Sequence, residues 1–139
     1  MNFEQLLRQT YAAFNSRDID GALEAMHPDV CWANGLEGGT VHGYGGVRAY
    51  WTRQWGKIDP TVELVEVRKE GDGRFAVMTR LVVRDLKGKL LMNQMVQHVY
   101  EFEGGLIRSM VIRELEGRGG PASMPRSNIS LKADEDPEL

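Results

Sequence analysis

From residue 62 to residue 115 the chain alternates extended, half-apolar runs with glycine turns, and none of it has helical spacing. The runs are 62–67, 75–84, 90–102 and 106–115. The breaks between them, Gly71-Asp72-Gly73, Lys87-Gly88 and Gly104-Gly105, supply the residues that tight hairpins need at positive φ. Four strands joined in this way build an antiparallel sheet. That sheet must find something to cover its apolar face.

The cover comes first in the chain. Phe3, Leu6, Leu7, Tyr11 and Phe14 follow the i, i+3, i+4 spacing of an amphipathic helix over 3–16. Asn15, Ser16 and Arg17 break it. Asp18 is a good N-cap for a second, short helix through Ala22, Leu23 and Met26, stopped by Pro28. Alternation over 30–34 predicts a strand with Val30, Trp32 and Asn34 on one face. Residues 35–46 carry six glycines and read as a mobile loop with room for one short strand. A third helix is expected over 46–56, with Val47, Tyr50, Trp51 and Trp55 on one stripe. Helices followed by strands give an α+β layout, with a long sheet curling around three N-terminal helices. One domain is expected over 1–116. A flexible polar C-terminal tail over 117–139 is expected beyond it, with only Ile129 and Leu131 able to dock it back.

Composition excludes several function classes. A net charge of −3 and scattered basic residues argue against a nucleic-acid partner, which needs a concentrated basic face. The single cysteine, Cys31, rules out an internal disulfide and a cysteine-rich zinc site. No apolar stretch nears the ~18–20 residues that span a membrane. The start, MNFEQLLRQTY, lacks the basic and apolar regions of a signal peptide, so a cytoplasmic protein is expected. His27, His42 and His98 sit on different elements without ligand spacing, so no metal is expected. Gly43-Tyr44-Gly45-Gly46 lacks the spacing of a dinucleotide loop, and no cofactor is expected.

Polar residues on inward faces carry the functional signal. In the strands, Val77, Thr79, Leu81 and Val83 share a face, as do Gln94, Val96, His98, Tyr100 and Phe102. His98 and Asn34 therefore point inward, toward Tyr11 on the first helix. Buried polar groups must be hydrogen-bonded or bind something. Each has two readings: His98 as a proton donor or acceptor, or as a histidine bonded to Tyr11 or Asn34; Asn34 as a group orienting a substrate oxygen, or as a clamp on the glycine loop. Phe14, Trp32, Trp51, Trp55, Tyr100 and Met110 are expected as pocket wall, with Gln94 toward the mouth. Met78, Val82, Met95 and Val99 fall on the opposite face of the sheet. With no spare helix to cover that face, a homodimer packed through it is expected.

Three strings, YAAFNSRDIDGALEAMHPDVCW at 11–32, VHGYGGVRAYW at 41–51 and QHVYEFEGGLIRSMVI at 97–112, resemble the nuclear transport factor 2-like superfamily. That group includes SnoaL-type polyketide cyclases and ketosteroid isomerases. The resemblance spans 3–115 and implies a conical, cystatin-like α+β barrel with a deep pocket. In the isomerases the base is a carboxylate where this chain has Asn34, and an amide cannot take that proton. His98 lies on the strand that carries their oxyanion-stabilising acid. Their first-helix tyrosine corresponds to Thr10, one residue (roughly 100° of helix) from Tyr11. The resemblance therefore points away from steroid isomerisation and toward the histidine- and tyrosine-based dehydratases. The expectation is a pocket for a small, partly hydrophobic molecule. It serves either cofactor-free acid–base catalysis by His98, Asn34 and Tyr11 (isomerisation, dehydration or cyclisation) or ligand binding without turnover.

Overall fold

A computed structural model of the chain describes residues 2–71 and 73–113. The elements run α1 (Phe3–Asn15), α2 (Ile19–Leu23), β1 (Met26–Ala33), β2 (Thr40–His42), α3 (Gly43–Trp55), β3 (Asp59–Lys69), β4 (Arg74–Arg84), β5 (Leu90–Glu103) and β6 (Leu106–Arg113). This is the expected α+β architecture. The expected tail, and the end of the last strand at Leu115, lie outside the described residues.

The strands form one curved sheet in the order β2-β1-β6-β5-β4-β3, unclosed between β2 and β3. Every neighbouring pair is antiparallel except β1 with β6, which is parallel. Register shifts at Leu64/Glu66, Val83/Arg84 and Glu101/Phe102 put irregularities in three adjacent ladders, and such bulges bend strands. Glu103 pairs with Leu106 across Gly104 (φ 62°) and Gly105 (φ 82°). Two consecutive positive-φ residues match the twist of a two-residue hairpin, and a β-carbon would strain either position.

The N-terminal elements differ from expectation at two points, the first being that α3 begins at Gly43 and so takes in Gly43–Gly46 as helix rather than loop. The helix opened by Asp18, whose side chain accepts from Gly21 N at 2.9 Å, ends at Leu23, and β1 begins at Met26 and passes through Pro28. Proline is tolerated there because the β1–β6 ladder shifts register between Met26 and Cys31, so no N–H is needed. α1 is capped by Asn2, which accepts from Gln5 N while the Gln5 side chain accepts from Asn2 N. At its other end Asn15 bonds both the N–H and the C=O of Val62, fixing α1 to the edge strand β3. The core between helices and sheet holds Leu7, Val30, Val47, Trp51, Val77, Tyr100 and Ile107, all nearly inaccessible.

Candidate functional site

A hollow of about 160 Å³ remains between α1, α3 and the concave face of the sheet. Its walls are mainly apolar and aromatic: Phe14 from α1, Trp32 and Met110 from β1 and β6, Trp51 from α3, Leu81 and Val96 from β4 and β5. Trp51 stands edge-on to Phe14 and Trp32, with ring centres 4.9 and 5.6 Å apart. This edge-to-face packing holds the rings in place.

Two polar groups meet inside it. The Tyr11 hydroxyl lies 2.7 Å from His98 Nδ1, and Tyr100 donates its own hydroxyl to the Tyr11 oxygen at 2.7 Å. Burial lowers the His98 pKa to about 4, so the imidazole is neutral at physiological pH. Burial, with Tyr100 beside it, raises Tyr11 well above the ordinary phenol range, and burial raises Tyr100 as well. The ring nitrogen His98 Nε2 has no partner among the described residues. No aspartate or glutamate lines the hollow, so it holds no carboxylate base among the described residues.

Seven of the expected residues line the hollow: Tyr11, Phe14, Trp32, Trp51, Gln94, His98 and Met110. Asn34, Trp55 and Tyr100 do not. Tyr100 is fully buried behind Tyr11. Trp55 is capped by the Arg17 guanidinium, 4.9 Å from its ring centre. The expectation that Asn34 joins His98 in the hollow fails. Asn34 is buried as foreseen, but its Oδ1 accepts from Glu37 N at 2.7 Å and its Nδ2 donates to Glu37 Oε1 at 2.9 Å. Arg53 then donates to both Glu37 oxygens at 3.0 and 2.8 Å and, with Asn34, holds the Glu37 carboxyl down at about pKa 2. Asn34 clamps the glycine loop to α3, because Glu37, three residues on, reaches back to both ends of its amide.

Tyr50 and Gln54 were not expected as polar wall. They lie one turn apart on α3, with Gln54 Nε2 donating to the Tyr50 oxygen at 3.0 Å and Leu36 N donating to the same oxygen at 3.3 Å. Burial lifts Tyr50 to about 12. Gln54 Oε1 is buried without a partner. The i, i+4 spacing of Tyr50 and Gln54 beside Trp51 was the signal that marks them. Cys31 lies 3.5 Å from His42 Nε2 and, like it, does not line the hollow. No group of three or more His, Cys, Asp or Glu among the described residues is placed to hold a metal ion, and no described helix is long and apolar enough to cross a membrane.

Comparison with known proteins agrees with this architecture. No curated protein matches the chain. An NTF2-like protein of unknown function from Burkholderia pseudomallei K96243 is 30% identical, with 79% of this chain and 88% of that one covered and a TM-score of 0.69. TerC, co-crystallised with polyporic acid, is 26% identical over 78% of this chain and 88% of its own, also at 0.69. An uncharacterised cystatin-fold protein from Novosphingobium aromaticivorans is 21% identical over 81% and 98%, at 0.69, and shares the fold. The SnoaL-like domain model matches residues 7–110. The chain belongs to the SnoaL-like domain family, within the NTF2-like superfamily.

Proposed function

We propose that the chain binds a small, partly hydrophobic molecule bearing one or two oxygens, with an oxygen against His98 and the carbon skeleton against Trp32, Trp51 and Phe14. The observation that carries this is the 2.7 Å Tyr11–His98 bond set in a mainly apolar hollow. A few convergent polar groups in an apolar cavity are the usual form of a ligand site. The hollow is close in volume to an apolar cavity of about 150 Å³ that admits benzene, so the ligand is about one ring in size. The co-crystal of TerC with polyporic acid supports a small-molecule reading. The reaction this site suits is cofactor-free acid–base chemistry (isomerisation, dehydration or cyclisation), with His98 and Tyr11 at the reacting oxygen. A lining without a carboxylate among the described residues favours a second reading, binding without turnover.

A panel of one-ring carbonyl compounds, titrated against wild type, His98→Ala and His98→Gln, separates these readings. Turnover that is lost in both variants while binding persists supports catalysis. Saturable binding with no turnover supports the binder. No binding by any member of the panel overturns the proposal.

The same reading includes a homodimer through the convex face of the sheet. Ala76, Val99 and Val111 lie side by side across β4, β5 and β6 there; Ala76 and Val99 are already buried, and Val111 is 49% exposed. Met95→Glu should then give a monomer in sizing chromatography, and an unchanged elution volume would mean a different interface. A cytoplasmic setting goes with this reading, and the single cysteine, Cys31, is compatible with a reducing compartment.

A further inference from the structure

The Tyr100–Tyr11–His98 chain has a direction, and it follows from counting donors and acceptors. Tyr100 is fully buried, and among the described residues its hydroxyl has one partner, the Tyr11 oxygen. A buried hydroxyl proton with no acceptor disfavours a state by roughly tenfold or more. Tyr100 therefore donates to Tyr11. The Tyr11 proton then goes to the other atom within reach, His98 Nδ1 at 2.7 Å. A neutral imidazole carries one proton, so with Nδ1 accepting, that proton sits on Nε2. The reverse chain, from Nδ1–H to Tyr11 to Tyr100, would strand the Tyr100 proton in the core.

We propose that Tyr100 and Tyr11 hold His98 as its Nε2–H tautomer, so that the imidazole offers the hollow a hydrogen-bond donor and the ligand group it meets is an acceptor oxygen, a carbonyl rather than an amine. Tyr100 is a positioning residue: it does not line the hollow and acts only through Tyr11. Among the described residues no carboxylate lines the hollow to compete for the Nε2 proton. His98 then polarises a carbonyl by donation. Taking a proton at Nε2 instead would require the protons of all three side chains to be rearranged. The ligand half of this inference rests on the proposed function; the tautomer half stands without it.

The test uses ¹⁵N-labelled, ligand-free protein at neutral pH, read by long-range ¹H–¹⁵N correlation of the His98 ring. Wild type should show a bare Nδ1 and a protonated Nε2; a protonated Nδ1 overturns the assignment. Tyr100→Phe and Tyr11→Phe keep the ring volume and should let the Nδ1–H form appear, more strongly for Tyr11→Phe. A Tyr100→Phe ring identical to wild type overturns the part given to Tyr100. Cyclohexanone and methylcyclohexane, nearly equal in shape, test the ligand half. The ketone should bind roughly tenfold tighter, and His98→Ala should erase the difference. Equal binding, or none, alongside the Nε2–H form overturns the ligand reading and leaves the proton assignment standing.

Discussion

The hollow and its rim each hold a polar network anchored on a buried residue, Tyr100 inside and Asn34 at the rim, and the two are built in opposite ways. At the rim, Asn34, Glu37 and Arg53 close on one another: both ends of the Asn34 amide and both Glu37 oxygens find partners within the set. Inside, the chain from Tyr100 through Tyr11 to His98 satisfies every group but the last, His98 Nε2. Asn34 is as buried as Tyr11, at 6% exposure each, so burial alone does not mark function. An unfilled hydrogen-bonding position facing a cavity does. The rim spends its polar atoms on holding a loop, whereas the interior keeps one in reserve.

The rim breaks most sharply under Asn34→Asp. The change removes the Nδ2 donor and sets a second carboxylate against Glu37, which is ionised down to about pH 2. One of the two acids must take up a proton or repel the other. We expect a loss of about 3 kcal/mol in urea denaturation, with ligand affinity in the hollow unchanged. A variant as stable as wild type would mean that the loop is held by its backbone bonds, Asn34 N to Gly39 O and Gly38 N to Asn34 O, both 2.9 Å.

The interior is next, and its signature is acid sensitivity. The His98 pKa is lowered from 6.5 to about 4, so the folded state resists a proton that the unfolded chain accepts. Its contribution is full above pH 6.5 and is lost as the pH falls toward 4. Wild type should therefore lose about 2 kcal/mol more than His98→Gln across that window, the ring's contact with the hollow keeping the figure below the full shift. Glu37 contributes in the same direction but lower, between its ordinary value near 4.5 and about 2. Parallel pH profiles for the two proteins would show that the ring is solvated in the folded state.

Periodicity made most of this architecture legible. The period-two alternation of β4 and β5 put Leu81, Val96 and His98 on the concave face, and the helical stripe put Tyr11, Phe14 and Trp51 opposite them, because a buried face leaves no freedom in which side chains point inward. Asn34 shows where that reasoning stops. Alternation correctly buried it, yet its partner was a glutamate three residues on, in a glycine-rich loop whose path no period describes. Pro28 failed for a similar reason, since its place in β1 depends on a register shift that only the neighbouring strand reveals. Tyr50 and Gln54 were hidden by their neighbours: a stripe rich in tryptophan reads as plain core until a polar atom in it is left unpaired.

Gln54 offers the finest test of an open position against a closed one. Its Nε2 donates to Tyr50, while Oε1 is buried without a partner and the residue lines the hollow. Gln54→Leu removes one hydrogen bond to Tyr50 but also removes a stranded acceptor. These effects oppose each other, and stability should stay within about 0.5 kcal/mol of wild type. Binding should separate ligands by chemistry. A simple ring ketone, which uses only His98, should bind as before, whereas a ring ketone with a hydroxyl on its far side should lose several-fold in affinity because its donor no longer finds Oε1. Calorimetric titration of the two compounds against the two proteins gives a four-point cycle. A coupling of zero would place Gln54 with the rim residues, as scaffold, and leave ligand selection to His98 and the other polar lining residues.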